Sequence, residues 1–236
     1  RSTPSKSSAA SDVYKRQAKK MAKEGICEGT VILAGQQTAG RGRLGRVWFS
    51  SPGSSILMSI ILYPELDQLP RLNMVAGLAV VYSIEKAAGL KSDIKWPNDV
   101  LINGKKVSGI LMENLFDGGA LQSSIISVGL NVRLDVSTFP EISDRATSIS
   151  SELGKNLSPG DILPYVVKEI DRFYQDMLEG QPVYDWWLAH VETLGKIVSV
   201  KSGEVMEEGY AESINTDGSI VLRRADGSLV TVVTGE

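Results

Sequence analysis

Asp93-Ile94-Lys95-Trp96-Pro97-Asn98-Asp99-Val100-Leu101-Ile102-Asn103-Gly104-Lys105-Lys106-Val107-Ser108-Gly109-Ile110-Leu111-Met112-Glu113 reads as two strand-like runs folded about an Asn-Gly pair. A two-residue turn of that kind needs φ > 0 twice, which Asn-Gly tolerates best, so the runs return as a hairpin. Pro97 breaks the first run by fixing its own φ and pushing Trp96 away from the helical region. A sheet that begins with a hairpin grows antiparallel, and helices then pack on it as an α+β fold.

Working outward, Asp117-Gly118-Gly119 makes another turn, and Ser123 to Val132 is a further strand containing Gly129 and Asn131. On the N-terminal side, Arg71 to Ala88 has Leu72, Val75, Ala76, Ala79, Val80 and Ile84 at helical spacing, closed by Gly89. Thr30–Ala34 and Ser55–Leu62 are apolar at nearly every position, as in a sheet covered on both faces. Residues 13–24 look helical with Gly25 as the stop, and the Ser-rich residues 1–12 read as a disordered leader or a scar. Ser158-Pro159 opens a helix running to about Leu178, and a second helix follows near Val183–His190. Beyond Gly195 the texture turns to short strands separated by Ser-Gly and Asp-Gly turns. The expected division is a leader over 1–12, a mixed, mostly antiparallel α+β domain over 13–192, and a small β-barrel over 193–236.

The 236 residues carry 42% hydrophobic and 22% charged side chains, ordinary for a soluble globular protein. A formal net charge of -3 argues against nucleic acid as the main partner. The one cysteine, Cys27, excludes an internal disulfide framework and suits a reducing compartment. The one histidine, His190, cannot build a histidine-rich metal site. No run approaches a membrane span, so a cytoplasmic protein is expected.

Three segments stand out chemically. Gln37-Thr38-Ala39-Gly40-Arg41-Gly42-Arg43-Leu44-Gly45-Arg46-Val47-Trp48-Phe49-Ser50 alternates glycines with arginines and ends in two aromatic rings. Glycine lets backbone approach a ligand closely, and arginine offers a planar cationic fork to carboxylate or phosphate. Read alone, the segment is either a loop closing over a small anion or a basic surface loop. Lys95-Trp96-Pro97-Asn98-Asp99 holds an amine, an amide and a carboxylate in a rigid turn, suited to phosphate, a base edge or a metal-bound oxygen, or else to its own backbone. Of Lys105 and Lys106 only one can face an interior site, where it would neutralise developing charge. Gly109 and Gly129 on strands signal close approach by a backbone or a ligand.

These segments, together with Lys106-Val107-Ser108-Gly109-Ile110-Leu111 and Gly129-Leu130-Asn131-Val132, resemble the biotin protein ligases in content, order and separation, from about Ala18 to the C-terminus. The resemblance implies a catalytic domain like that of class II aminoacyl-tRNA synthetases with a C-terminal β-barrel. It implies that biotin and ATP, with Mg2+ held mainly by the ATP phosphates and no protein metal site, give biotinyl-5′-AMP. A lysine of a biotin carboxyl carrier domain then takes the biotinyl group. By position, Gln37, Arg41, Gly42, Arg43, Lys106, Gly109, Ile110 and Gly129 would bind biotin. Arg41, Arg46, Trp48, Lys95, Asn98 and Asn131 would face ATP or the adenylate, with Trp48 near the adenine, and Lys106 and Arg43 would carry the catalysis. No nucleophilic side chain is required, because the attacking lysine is the partner's. Where the family has Ser-Thr-Asn before its first helix, Val13-Tyr14-Lys15 stand here. The residues before them are too few for the helix-turn-helix of the repressing relatives, so no DNA binding is expected; homodimerisation is left open. The family's pattern also continues past the position of Glu236 with a strand bearing an arginine that supports adenosine binding. Two alternatives are a lipoate-protein ligase, which lacks the Gly-Arg-Gly-Arg loop, and a biotin- or nucleotide-binding module with weak catalysis. An unrelated nucleotide-binding domain is disfavoured by the lack of the usual phosphate-loop patterns.

Overall fold

The computed structural model describes residues 13–37 and 40–235, apart from the side chains of Val13, Arg41 and Leu44. The expected leader over 1–12 therefore lies outside the described residues. In chain order the elements are α1 (Val13–Lys23), β1 (Val31–Ala34), β2 (Gly40–Arg41), β3 (Val47–Trp48), β4 (Ser55–Leu62) and α2 (Leu69–Ala88). There follow β5 (Asp93–Lys95), β6 (Asp99–Ile102), β7 (Lys105–Asp117), β8 (Ala120–Asn131), α3 (Ile149–Leu153), α4 (Pro159–Leu178) and α5 (Val183–Leu188). The chain ends in β9 (Ile197–Ser202), β10 (Val205–Ile214), β11 (Ile220–Arg223) and β12 (Leu229–Val232).

The main sheet has the order β1-β4-β8-β7-β6-β5, and each neighbouring pair is antiparallel. Its middle is the hairpin read from Asn103-Gly104, where both residues adopt positive φ. All eight residues of β4 are buried, as expected for a strand with both faces covered. The two faces differ. On one, Ile56, Met58, Ile60 and Leu62 of β4 and Ile126, Val128 and Leu130 of β8 join α2, α4 and α5 in the main core. On the other, Leu57, Ile61 and Ile125 meet Tyr14, Ala18 and Ala22 of α1 in a smaller cluster.

The helix α2 begins two residues before the sequence reading placed it, because Pro70 is accepted in the first turn, where no backbone N–H is needed. It ends at Gly89 in the left-handed conformation. The start of α4 is a reciprocal capping box: the Ser158 backbone N–H donates to Asp161 Oδ2 at 2.7 Å. Between α2 and α4 the buried Glu169 carboxylate accepts from Lys86 Nζ at 2.6 Å and from Arg172 Nε at 2.8 Å.

The terminal strands form a four-stranded antiparallel sheet, β12-β11-β10-β9. Among the described residues β9 and β12 do not pair, so the sheet is open where the sequence reading expected a barrel. Gly235, beyond β12, lies against Val200 and Lys201 of β9. Ala211, Ile220, Leu222 and Val232 of the inner face join the main core. Trp96 Nε1 ties the two sheets by donating to the Gly218 carbonyl at 2.8 Å.

Candidate functional site

The short helix α1 covers only part of its sheet face. The remainder, carrying the small residues Gly109, Ser127 and Gly129, is the floor of a cavity of about 410 Å³. Gln37, Gly42, Arg43, Arg46, Trp48, Lys95, Asn98, Lys106, Gly109, Ile110, Gly129 and Asn131 all line it. Segments distant in sequence thus meet at one place. The side chain of Arg41, the remaining expected contact, lies outside the described residues, as do Thr38 and Ala39.

The Gly/Arg segment is a folded-back ribbon. Gly40 pairs with Trp48 and Arg41 with Val47, and the Gly42 N–H donates to the Arg46 carbonyl at 2.8 Å around one 3-10 turn, Arg43–Gly45. A Cβ on Gly40 would lie 2.6 Å from the Trp48 carbonyl oxygen, so the ribbon can close only with glycine there. The fold-back delivers the Trp48 indole onto the floor. A Cβ on Gly129 would be 2.7 Å from Trp48 Cζ2, and one on Gly109 would be 3.2 Å from Cζ3. The close approach signalled by these two paired glycines is therefore made by a side chain of the same chain. The Trp48 Nε1–H is buried and has no hydrogen-bond partner among the described residues.

Arg43 leaves the ribbon toward both sheets: Nη1 donates to Asn98 Oδ1 at 3.2 Å and Nη2 to Thr234 Oγ1 at 2.8 Å. Asn98 is held in turn by Nδ2 donating to the Ile110 carbonyl at 2.6 Å. Asn131 is fixed through Nδ2 donating to the Thr147 carbonyl at 3.1 Å. The Gln37 side chain is buried.

Lys106 reaches the cavity because β7 carries one extra residue. Ser108 pairs with Val100 and Lys106 with Leu101, so Val107 is a bulge that shifts the alternation and sets Lys106 beside Gly109. Lys105 is exposed. Lys106 Nζ pairs with Asp99 Oδ1 at 2.7 Å and stands 5.7 Å from the Trp48 ring centroid. Its backbone is fixed on the other side: its N–H donates to the Arg145 carbonyl at 2.8 Å, and its carbonyl accepts from the Thr147 N–H at 2.9 Å.

The sequence reading missed several of these groups. It singled out Asp99 only as part of the Pro97 turn, not as the partner of Lys106. It gave no role to the segment after β8, whose Ile142, Arg145 and Ala146 complete the wall. Nothing in the period of that segment flags it; only its pairing with Lys106 does. Tyr14 and Lys15 are buried in the first turn of α1 and also line the cavity, at the positions that depart from the resembled Ser-Thr-Asn. The lining cations Lys15, Arg43, Arg46, Lys95, Lys106 and Arg145 outnumber the carboxylates Asp99 and Glu192, on a chain whose net charge is -3. Such a cavity is suited to an anion with a part small or flat enough to share space with an indole.

Comparison with known proteins agrees with this chemistry. The model of the "Biotin/lipoate A/B protein ligase family" matches residues 8–131. The bifunctional ligase/repressor BirA of Bacillus subtilis (strain 168) is 37% identical over 217 residues, covering 90% of this chain and 67% of that protein. The biotin–[acetyl-CoA-carboxylase] ligase of Paracoccus denitrificans is 31% identical over 214 residues, covering 87% and 89%. Among solved structures, the biotin protein ligase of Aquifex aeolicus in complex with biotin and ATP superposes with a TM-score of 0.78 at 28% identity, covering 93% of this chain and 92% of that one. With half the chain inside the family model and relatives above 30% identity along most of its length, the chain belongs to the biotin/lipoate A/B protein ligase family.

Proposed function

We propose that the protein is a biotin protein ligase that activates biotin with ATP as biotinyl-5′-AMP and passes the biotinyl group to a lysine of a biotin carboxyl carrier domain. The observation that carries this reading is the convergence of the Gly/Arg ribbon, the Lys95–Asp99 turn, Lys106 and the Gly109–Gly129 floor on one cation-lined cavity. In the first step the biotin carboxylate attacks the α-phosphorus of ATP and pyrophosphate leaves. Lys106, oriented by Asp99, and Arg43, oriented by Asn98, supply fixed positive charge where two anions must meet. Gln37, Arg41, Gly42, Gly109, Ile110 and Gly129 are assigned to biotin. Arg46, Trp48, Lys95 and Asn131 are assigned with Arg41 and Asn98 to the nucleotide. Magnesium comes as part of the substrate, on the ATP phosphates; the oxygens of Asp99 and Asn98 that face the cavity already accept from Lys106 and Arg43. In this reading residues 13–192 form the catalytic unit and 193–236 an appended sheet. The reaction is assigned to the cytoplasm; no described helix is long and apolar enough to cross a membrane. The proposal is confined to the ligase half of the ligase/repressor activity named for the Bacillus relative.

The test is transfer of labelled biotin to a recombinant carrier domain, with and without ATP. ATP-dependent labelling of one lysine is expected; labelling with lipoate and not biotin would reassign the substrate. A second reading, a binding module with weak catalysis, draws on Tyr14 and Lys15 in the cavity wall. It predicts saturable biotin binding with no pyrophosphate release.

A further inference from the structure

A second cavity, of about 270 Å³, lies on the other side of Arg43 and Asn98. Arg43, Asn98, Ile110 and Leu111 line both cavities and form the partition between them. The rest of its wall is mostly apolar, with Trp96, Trp187 and Met74 buried and Pro70 and Met112 half-buried; Asn73 also lines it, its Nδ2 donating to the Pro97 carbonyl at 2.7 Å. Its mouth carries one charged group, the exposed Asp217. The Ser219 hydroxyl and backbone N–H both donate to Asp217 Oδ1, at 2.6 and 2.9 Å, which holds the carboxyl below its ordinary range and so ionised at neutral pH.

We infer that this second cavity is the port through which the acceptor lysine reaches the activated acyl group. The inference rests on the ligase reading above and names where its second substrate enters. A lysine side chain is an apolar stem with a cationic tip, and each part finds a match. The Asp217 carboxylate at the mouth draws in the ammonium, and the prolyl, methionyl and indole walls take the stem. The partition completes the chemistry. Only the neutral amine can attack, and the Arg43 guanidinium at the inner end disfavours the charged form by like-charge repulsion. The nitrogen lone pair then forms the amide C–N bond as the acyl C–O bond breaks. The ammonium has by then given one proton to water; AMP departs with the electron pair of that oxygen, and a second proton passes from the nitrogen to water as the amide forms. Separate doors for the nucleotide and the lysine also let the acyl adenylate stay covered while the acceptor docks.

Two variants test the port in the full chain. Met112→Trp fills the cavity, and Asp217→Asn removes its charge while keeping an oxygen for the Ser219 cap. Biotin-dependent ATP–pyrophosphate exchange, and trapping of the adenylate by hydroxylamine, are expected to stay within about twofold of wild type in both variants, because neither residue lines the first cavity. Transfer to the carrier domain is expected to fall at least ~10-fold in Met112→Trp. In Asp217→Asn the KM for the carrier domain should rise roughly threefold, an effect that fades with added salt. The inference is overturned if both variants transfer at wild-type rates, or if exchange and transfer decline in step. Should Met112→Trp not fold, Asp217→Asn decides alone. Absence of exchange in the wild-type protein would instead reject the ligase reading itself.

Discussion

Replacing Gly129 by alanine is the most direct probe of how the cavity floor is built. The new Cβ would lie 2.7 Å from Trp48 Cζ2 and 2.8 Å from Cε2. Carbon atoms rest at about 3.5–4.0 Å, so the indole must retreat by roughly 1 Å. It is poorly placed to do so, because Trp48 is paired to Gly40 so closely that a Cβ on Gly40 would lie 2.6 Å from the Trp48 carbonyl oxygen. Overpacking of this kind costs typically about 1–3 kcal/mol. For a chain of this size each kcal/mol lowers the melting point by about 2–4 °C. Gly109→Ala is the internal control. Its Cβ comes no nearer than 3.2 Å to any group, and two of the three nearest atoms are the end of the Lys106 side chain, which can swing away. Calorimetric melting should therefore rank Gly129→Ala well below Gly109→Ala. The tryptophan emission of Gly129→Ala should also shift, while that of a Trp48→Ala background should not. In a double-mutant cycle, Trp48→Ala should relieve most of the cost of Gly129→Ala. Equal melting of the two alanine variants, or additivity in the cycle, would refute the packing argument.

Other consequences are open to measurement. Lys106→Ala should lower biotin-dependent pyrophosphate release by ~10²–10³-fold, the usual loss when one preorganised charge is removed; near-normal release would take Lys106 out of the mechanism. Arg43→Gly breaks the bonds to Asn98 and Thr234 and takes one of four residues out of the partition between the cavities, so the adenylate should escape and label lysines at random. Mass spectrometry showing labelling confined to the carrier lysine would contradict that. Glu169→Gln should destabilise the fold by about 1–3 kcal/mol, since it weakens two charge-assisted bonds at a buried carboxylate. Burial pushes the Glu169 carboxyl up, but hydrogen bonds from Lys86 and Arg172 more than offset this and hold it below its ordinary value of 4.5. The lowered value means that Glu169 stabilises the fold above pH 4.5 and that this share is lost as pH falls through its folded-state value. As pH falls below about 4.5 the melting point of wild type should drop more steeply than that of Glu169→Gln, while above that pH the two curves should run parallel; parallel curves below it as well would remove this role.

Elements governed by local rules were legible in the sequence. Asn103-Gly104 fixed the central hairpin, Gly89 the end of α2, and Ser158-Pro159 the start of α4, because each depends on the conformation of a few residues. The site was legible as far as residue type betrays chemistry: arginines among glycines, and a lysine after a hairpin. What escaped were relations between distant residues. The bulge at Val107 depends on pairing with β6, and the Asp99–Lys106 pair depends on that bulge. The reason for Gly129 is an indole far away in sequence, and strand period alone does not reveal it. That β9 and β12 stay at opposite edges of the terminal sheet is likewise a relation between distant strands that no turn signal carries.

Both peptide groups of Lys106 are committed to the segment that follows β8, through Arg145 on one side and Thr147 on the other. The amine that faces the cavity is thus mounted on a loop belonging to another wall. Two peptide hydrogen bonds, with no intervening side chain, tie the lysine backbone to the wall that carries Ile142, Arg145 and Ala146. Where the cation stands is therefore set by the backbone of the opposite wall as much as by its own strand.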